Sequence, residues 1–435
     1  MNNFLKRLIR LLPGDVLFGQ SFRYAKRLHE EFNASNDKVD FVQSYQQNKL
    51  RELFTLAPKA PFYHYIQPTS AISDLQFIDK QIVTQSFNEF IVSKDGADYV
   101  STGGTSGSPL GFFINKSRKG FEWYWMTYNW SQVGFTHNDY RAVLRNHKLD
   151  GKQFKVDPLL REYQYNNFGL NEAYLKFVVD HINSKNLRFL HAYPSAAYTL
   201  ANHLCREKKN TTLQTFLCGS ETVFDYQKEL MEDKLNIRMF TWYGLSEKTV
   251  LAAEGKTCGH YHANPFYSYT ELVDEDGQPI TTPGQSGELT GTSFINTKMP
   301  FIRYKTGDFA DFVGNTCPEC GYEGITFKNV KGRRVGDKIY KSDGSYITTT
   351  ALNLHNDIYH YIKGLQYYQD TVGVVQVRVV PDLGFNSSLS VKFLEELITR
   401  AGSGIKIEVV EVEKMELSIN NKFQLLIQKL KPEQV

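Results

Sequence analysis

The 435-residue sequence predicts an α/β protein: a large layered α/β N-terminal domain with a β-rich subdomain, followed by a small α+β C-terminal domain. Three observations lead there. Strand-like runs alternate with helical stretches through the first half, which indicates α/β layers with a largely parallel sheet. After Gly259 the texture turns to short strands punctuated by Gly, Pro and Asp. From about Lys338 a third pattern of helices and strands begins, long enough for an independent small domain. The boundaries expected are 1–335 for the large domain, with the β-rich part at about 256–335, and 336–435 for the small one.

Taken in order, Met1 to Pro13 interleaves Phe4, Leu5, Leu8, Ile9, Leu11 and Leu12 with Lys6, Arg7 and Arg10, a short basic amphipathic helix expected to dock on its own domain. Residues 20 to 100 repeat Phe, Leu and Tyr at three- and four-residue steps and read as mainly helical. Strands follow at Tyr99 to Ser101, Gly111 to Asn115, Leu187 to Ala192, Thr215 to Cys218 and Ile237 to Phe240, with helices at Gly120 to Val133, Ser195 to Lys208 and Asp225 to Leu235. The β-rich part should hold Tyr267 to Val273, Gly287 to Ser293, Ile302 to Tyr304 and Gly324 to Val330. In the small domain the pattern gives a helix near Thr349 to Tyr361, strands Val374 to Val380 and Leu389 to Phe393, a helix Leu394 to Ala401 and a strand Ile405 to Val412.

Composition excludes some functions. Fifty Lys+Arg against 47 Asp+Glu leave a formal +3, which gives no electrostatic case for a nucleic-acid partner. No apolar run reaches the roughly 18 residues of a transmembrane helix, and the N-terminus lacks the apolar core and cleavage site of a secretory signal. Five cysteines, an odd number in clustered spacing, argue for a reducing compartment, so a cytoplasmic location is expected.

Several motifs carry chemistry. Ser101 to Gly111 packs hydroxyls and glycines (Thr102, Gly103, Gly104, Thr105, Ser106, Gly107) into one loop between two extended runs. Such a loop can aim backbone N–H groups and hydroxyls at a phosphate, although it lacks the Lys-Ser/Thr of a P-loop and is compatible with a plain turn. In Thr241-Trp242-Tyr243-Gly244-Leu245-Ser246-Glu247, Tyr243 and Gly244 offer an aromatic face beside an approachable backbone, while Ser246 and Glu247 supply oxygens suited to Mg²⁺. Asp308, in the Thr306-Gly307-Asp308 turn, could accept two hydrogen bonds from a ribose diol. Gly332-Arg333-Arg334-Val335-Gly336-Asp337 falls at the predicted domain boundary, and Asn420-Asn421-Lys422-Phe423 lies close to the C-terminus.

In this order and over most of the chain, the motifs resemble the adenylate-forming (AMP-binding) superfamily. The length, the short C-terminal domain and Tyr193-Pro194-Ser195 most resemble its phenylacetate-CoA ligase family and the branch found in capsular polysaccharide biosynthesis. That resemblance implies an adenylate-forming fold whose small domain is mobile. It implies ATP phosphates held by Thr102 to Gly107, adenine against Tyr243 and Gly244, and phosphate and Mg²⁺ served by Ser246 and Glu247. Gly219-Ser220-Glu221 would lie beside the adenosine and Asp308 on the ribose. Lys422 would be a catalytic lysine that bridges carboxylate and α-phosphate, and swings away as the small domain turns on a hinge containing Arg334. Arg334 and Asp337 keep the family's Gly-Arg-x-x-Asp spacing and Arg333 does not, whereas Ser108 stands where the family commonly has lysine, removing one cation from the phosphate end.

The implied reaction is ATP-dependent activation of a carboxylic acid as acyl-adenylate, with transfer to CoA. A close rival hands the acyl group to an amine, such as an amino sugar of a surface polysaccharide, or to a carrier protein. A non-catalytic nucleotide-binding scaffold is disfavoured because it needs no mobile lysine. For the acid, Tyr193, Pro194 and Trp242, with Trp123, Tyr124 and Trp125, are candidate walls, although aromatics at helical spacing also serve as core.

Cys317-Pro318-Glu319-Cys320-Gly321 has the knuckle spacing of two zinc thiolates. Cys258 and either His260 or His262 would complete a structural Cys₃His site. The family's Gly-x-His turn favours His262. Cys205 and Cys218 read as buried thiols.

Overall fold

Two long helices form the N-terminal part: α1 (Gly19–Ala34) and α2 (Lys38–Leu56). Asp37 starts α2 by accepting the Asp40 backbone N–H at 2.9 Å, one of the donors that a helix N-terminus leaves unsatisfied. The computed structural model describes residues 8, 11–101, 110–145, 147, 149, 151–167, 170–221, 223, 225–331, 338–349, 351–352, 354, 358, 361–381, 384–416 and 425–430. The chain divides into two compact units. One comprises Met1–Asp98, Phe113–Tyr165 and Leu175–Arg333, and the other Tyr99–Phe112, Asn166–Tyr174 and Arg334–Val435.

Strands β1 (Ala97–Ser101) and β2 (Gly111–Asn115) pair with each other, so the Ser/Thr/Gly run joins two strands as expected, although Thr102, Gly103, Gly104, Thr105, Ser106, Gly107 and Ser108 themselves lie outside the described residues. Next come α3 (Arg118–Ser131), β3 (Arg141–Leu144), β4 (Phe154–Asp157), β5 (Glu162–Tyr165), α4 (Glu172–Ser184), β6 (Phe189–Ala192), α5 (Pro194–Arg206), β7 (Thr215–Gly219) and β8 (Arg238–Gly244). Strands β5, β3, β6, β7 and β8 lie side by side and parallel. Every residue of β7 is buried, the pattern of a strand covered on both faces.

The β-rich stretch continues this same sheet. Strands β9 (Leu251–Glu254), β10 (Tyr261–Ala263), β11 (Ser268–Val273), β12 (Ser286–Ser293), β13 (Tyr304–Thr316) and β14 (Glu323–Lys331) add in antiparallel fashion, giving the order β11-β12-β13-β14-β10-β9-β8-β7-β6-β3-β5-β4. The strand expected at Ile302 begins only at Tyr304, because Arg303 sits at φ +50. Arg303 is buried, paired with Glu271 at 3.0 Å, bonded to the Ser73 and Leu75 carbonyls at 3.0 Å, and stacked over Phe77 at 3.8 Å. It therefore fixes the entry to the Thr306-Gly307-Asp308 turn.

In the second unit, β17 (Ile362–Thr371) and β18 (Val374–Pro381) form an antiparallel hairpin, which β19 (Lys406–Glu411) and β20 (Leu426–Gln428) flank in parallel; β15 (Lys338–Tyr340) pairs separately with β16 (Tyr346–Thr348). The strand expected at Leu389 to Phe393 is instead the first half of helix α6 (Ser387–Ala401). Asn386 accepts the Leu389 N–H at 3.0 Å and caps this helix, and the buried Phe393, Leu397 and Ala401 recur at the four-residue step of one helical face. The alternation of Leu389, Val391 and Phe393 with polar residues, the period of a strand, hid a helix start signalled by the Asn cap. Asp225 to Leu235, expected as a plain helix, is α-helical only to Lys228 and then π-helical over Glu229–Lys234.

No helix among the described residues is long and apolar enough to cross a membrane.

Candidate active site and Cys/His cluster

Strand β8 sends successive side chains to opposite faces of the sheet. Trp242 packs at 5.6 Å from Trp130 and 5.3 Å from His191, while Tyr243 turns the other way, edge-on to Phe327. The Tyr243 hydroxyl donates to Asp308 Oδ2 at 2.8 Å, so two motifs 65 residues apart meet in one hydrogen bond. Burial, reinforced by the Asp308 carboxylate, holds the Tyr243 phenol well above its ordinary range and keeps it a donor.

The turn that presents Asp308 is built locally. Gly307 takes φ +77, the left-handed region that glycine enters freely, and donates its N–H to Glu288 Oε1 at 2.9 Å. Thr306 Oγ1 donates to the Leu289 carbonyl at 2.7 Å and accepts the Asp308 N–H at 3.0 Å. Glu247 is buried one turn beyond β8, accepts from Tyr304 Oη at 3.1 Å, and burial raises its pKa. Lys80 acts on it electrostatically; burial depresses this lysine to about 8, and Glu247 partly offsets that. Ser246 is half-buried and Gly244 exposed at the strand end. Lys80 was not singled out in the sequence, and Tyr304 was read there only as the end of a strand with no role; their distance from the Tyr243 motif along the chain concealed both.

Strand register explains the other face. Leu144 lies opposite Ala192, Ala192 opposite Cys218, and Gly219 opposite Trp242, so the residues that follow, Arg145, Tyr193 and Ser220, emerge together at the carboxyl ends of three parallel strands. Ligands of open α/β sheets bind along that edge. Arg145 donates to Ser220 Oγ at 3.0 Å, meets His191 Nε2 at 3.2 Å, and stacks over the Tyr193 ring at 4.3 Å. Ser220 takes φ +72, and a Cβ on Gly219 would stand 2.6 Å from the Trp242 ring. Glycine is thus required at 219 by the indole. Tyr193 is buried, Pro194 opens α5 at its first position, where a missing N–H costs nothing, and Glu221 is half-buried. Trp125 is core, stacked on Phe266 at 5.2 Å, and Tyr124 packs on Phe22 and hydrogen-bonds His29. Trp123 packs on Trp130 and on the buried Arg141, which pairs with Glu162. These three belong to the packing of α3. Arg333, Arg334 and Lys422 lie outside the described residues.

Cys258, His262, Cys317 and Cys320 form a second constellation, their donor atoms all within 4.8 Å of one another. The sulfurs of Cys258 and Cys320 are 3.6 Å apart, those of Cys317 and Cys258 3.8 Å, and His262 Nε2 stands 3.4 Å from both Cys258 and Cys320. A tetrahedron with bonds of about 2.3 Å to sulfur and 2.0–2.1 Å to nitrogen has edges of about 3.5–3.8 Å, so the donor set suits a zinc ion. Burial lowers the His262 pKa to about 4, leaving the neutral imidazole that ligates. His260, the other candidate, lies behind Cys317, its Nδ1 3.5 Å from the sulfur and its Nε2 3.6 Å from Glu319. Burial pushes the Cys317 thiol up, but hydrogen bonds from His260 and nearby backbone bring it down to about 7. Gly255 leaves room for the cluster, since a Cβ there would meet Cys258 Sγ at 2.6 Å. Cys218 is fully buried and its thiol is raised by burial; Cys205 is half-buried.

A solved 2-hydroxyisobutyryl-CoA ligase in complex with 2-HIB-AMP and CoA in the thioesterification state superposes with a TM-score of 0.56 at 18% identity, covering 91% of each chain. The chain has the fold of adenylate-forming ligases. An open conformation of the same ligase gives a TM-score of 0.52 at 17% identity over 90% of this chain and 91% of that one. Among curated proteins, Protein CapK of Staphylococcus aureus is 21% identical over 452 residues, 98% of this chain and 97% of the relative, which accords with the branch whose motif order the sequence resembles. No family model matches.

Proposed function

We propose that this chain activates a carboxylic acid with ATP, releasing pyrophosphate, and transfers the acyl group from the adenylate to CoA with release of AMP. The Tyr243–Asp308 hydrogen bond carries this reading. It joins an aromatic face and a carboxylate, the two groups needed to hold a nucleoside, at the end of β8 in a fold shared with a ligase solved with an acyl-adenylate and CoA. Tyr243 and Gly244 take the adenine, Asp308 the ribose diol, and Gly219, Ser220 and Glu221 flank the adenosine, with Thr102, Gly103, Gly104, Thr105, Ser106 and Gly107 on the phosphates.

Both reactants are anionic, so their approach requires neutralising charge. Lys422 supplies it at the α-phosphate, where one carboxylate oxygen attacks and pyrophosphate leaves. Ser246 and Glu247 would hold Mg²⁺, which would supply Lewis-acid neutralisation of the phosphates. In the second half-reaction the thiolate of CoA attacks the acyl carbon and AMP departs. Turning of the 336–435 domain at Arg334 exchanges Lys422 for the acceptor and keeps water from the mixed anhydride. The Cys258, His262, Cys317 and Cys320 set would hold a structural zinc, since four protein donors leave no position for a substrate. The reducing compartment in which such thiolates persist is the cytoplasm.

The likeness to Protein CapK along nearly the whole chain favours a second reading of the acceptor: an amine, such as an amino sugar of a capsular polysaccharide, in place of CoA. Exchange of labelled pyrophosphate into ATP across a panel of acids tests the common first step. Lys422→Ala abolishes the exchange if its role is right; full retention refutes it. AMP release on adding an amine, and none on adding CoA, decides for the second reading.

A further inference from the structure

At the carboxyl ends of β3, β6 and β7 Arg145 carries a charge that the adenylation chemistry leaves unused. Its partners are a neutral hydroxyl, an imidazole and an aromatic face: Ser220, His191 and Tyr193. Among the described residues no carboxylate pairs with it. The buried arginines of the same unit have one, Arg141 pairing with Glu162 and Arg303 with Glu271, as does the half-buried Arg118 with Asp98, whereas the half-buried Arg161 stacks on Tyr140 without one. Two of the five guanidinium N–H donors are engaged, which leaves enough of the fork for a planar oxyanion. Burial, helped by the neighbouring Arg145 and Arg141, keeps His191 neutral, so it accepts from Arg145 and adds no competing charge. Its Nδ1 is buried with no hydrogen-bond partner, and the indoles of Trp130 and Trp242 close in at 5.1 and 5.3 Å. The result is a guanidinium with no carboxylate partner among the described residues, in an aromatic recess at the carboxyl edge of β3, β6 and β7, where sheet ligands sit.

We propose that Arg145 is a specificity-determining residue which binds a second carboxylate on the substrate, so that the acid activated is a dicarboxylic acid. The proposal rests on the adenylation reading above. One carboxylate goes to the α-phosphate, and the other takes the place that Glu162 or Glu271 fills for the other arginines. The stack on Tyr193 and the bond to Ser220 hold the guanidinium plane in place before substrate arrives.

The test uses the purified full chain and matched acids of equal carbon skeleton: valerate against glutarate, and 3-methylbenzoate against isophthalate, each assayed by pyrophosphate exchange. In at least one pair the dicarboxylate should have the higher specificity constant by about tenfold or more, the value of one charge-assisted pair. Arg145→Gln should cut that ratio by about tenfold, mainly through KM, and Arg145→Lys, which keeps the charge and loses the fork, by about threefold. A preference for the monocarboxylate in both pairs, or a ratio unchanged in Arg145→Gln, overturns the proposal. If Arg145→Gln does not fold, an unchanged ratio in Arg145→Lys overturns it equally. Absence of exchange with every acid would sink adenylation itself. Quenching of Trp242 and Trp130 fluorescence by glutarate and isophthalate then reads the recess directly: saturable quenching that Arg145→Lys weakens upholds the anion site, and none refutes it.

Discussion

Replacing Gly219 by alanine adds one methyl group to the centre of the carboxyl edge. The new Cβ would stand 2.6 Å from Cε2 and 2.9 Å from Cζ2 of Trp242, well inside contact distance. A flexible side chain would swing away, but this indole is wedged between Trp130 at 5.6 Å and His191 at 5.3 Å, and its strand is paired on both sides. Overpacking of that kind costs about 1–3 kcal/mol. For a unit of this size, in which 1 kcal/mol moves the melting temperature by only about 1–2 °C, the expected loss is about 2–5 °C. The same shift pushes Trp242 into the recess beside Arg145, so KM for the acid should rise by about tenfold while KM for ATP changes less. Scanning calorimetry and pyrophosphate exchange measure the two effects. A variant that melts with the parent and keeps its KM would show that Trp242 is free to move, and the reason given for glycine at 219 would be wrong.

Tyr243→Phe removes the donor to Asp308; a hydrogen bond to a charged acceptor contributes about 1.5–3 kcal/mol, so KM for ATP should rise by about tenfold or more with the fold intact by circular dichroism. Metal analysis should find about one zinc per chain, and Cys320→Ser, at the exposed corner of the cluster, should lose it and melt several degrees lower, as should the parent after prolonged chelation. Lys80 is depressed to about 8 in the folded chain against 10.5 when exposed. The unfolded chain then binds the extra proton between these values, so this residue destabilises fully below pH 8 and its cost fades as pH rises towards 10.5. Lys80→Met should therefore gain stability over the parent at pH 7 in urea unfolding, with the gain shrinking by pH 10. A gain independent of pH would refute the assignment.

How much was legible in the sequence depended on distance along the chain. The Tyr243 and Asp308 motifs could be read because a strand end and a Thr-Gly-Asp turn are local devices, and Cys317 and Cys320 because a knuckle is four residues long. The choice between His260 and His262 needed β10, which carries His262 to Cys258 and Cys320 but begins only after His260, whose ring lies behind Cys317. Arg145 was invisible because its partners lie 46 and 75 residues away and only the parallel register of β3, β6 and β7 gathers them. The same blindness hid β3, β9 and β17, whose short or polar sequences acquire strand character from neighbours rather than from propensity. At α6 the Asn386 cap was the correct signal, outweighed by the strand-like alternation of Leu389, Val391 and Phe393.

The way the great sheet is threaded has a kinetic consequence. Strands β11, β12 and β13 pair with chain neighbours and can form early, but β10 must wait for β14, and the two halves of the Cys/His cluster lie 62 residues apart. That pairing closes the longest loop in this part of the chain and bears the largest entropic cost before any contact repays it. The last step in assembling the sheet is therefore the one at which four thiol and imidazole donors converge, so refolding speed should respond to zinc even where final stability in mild denaturant does not.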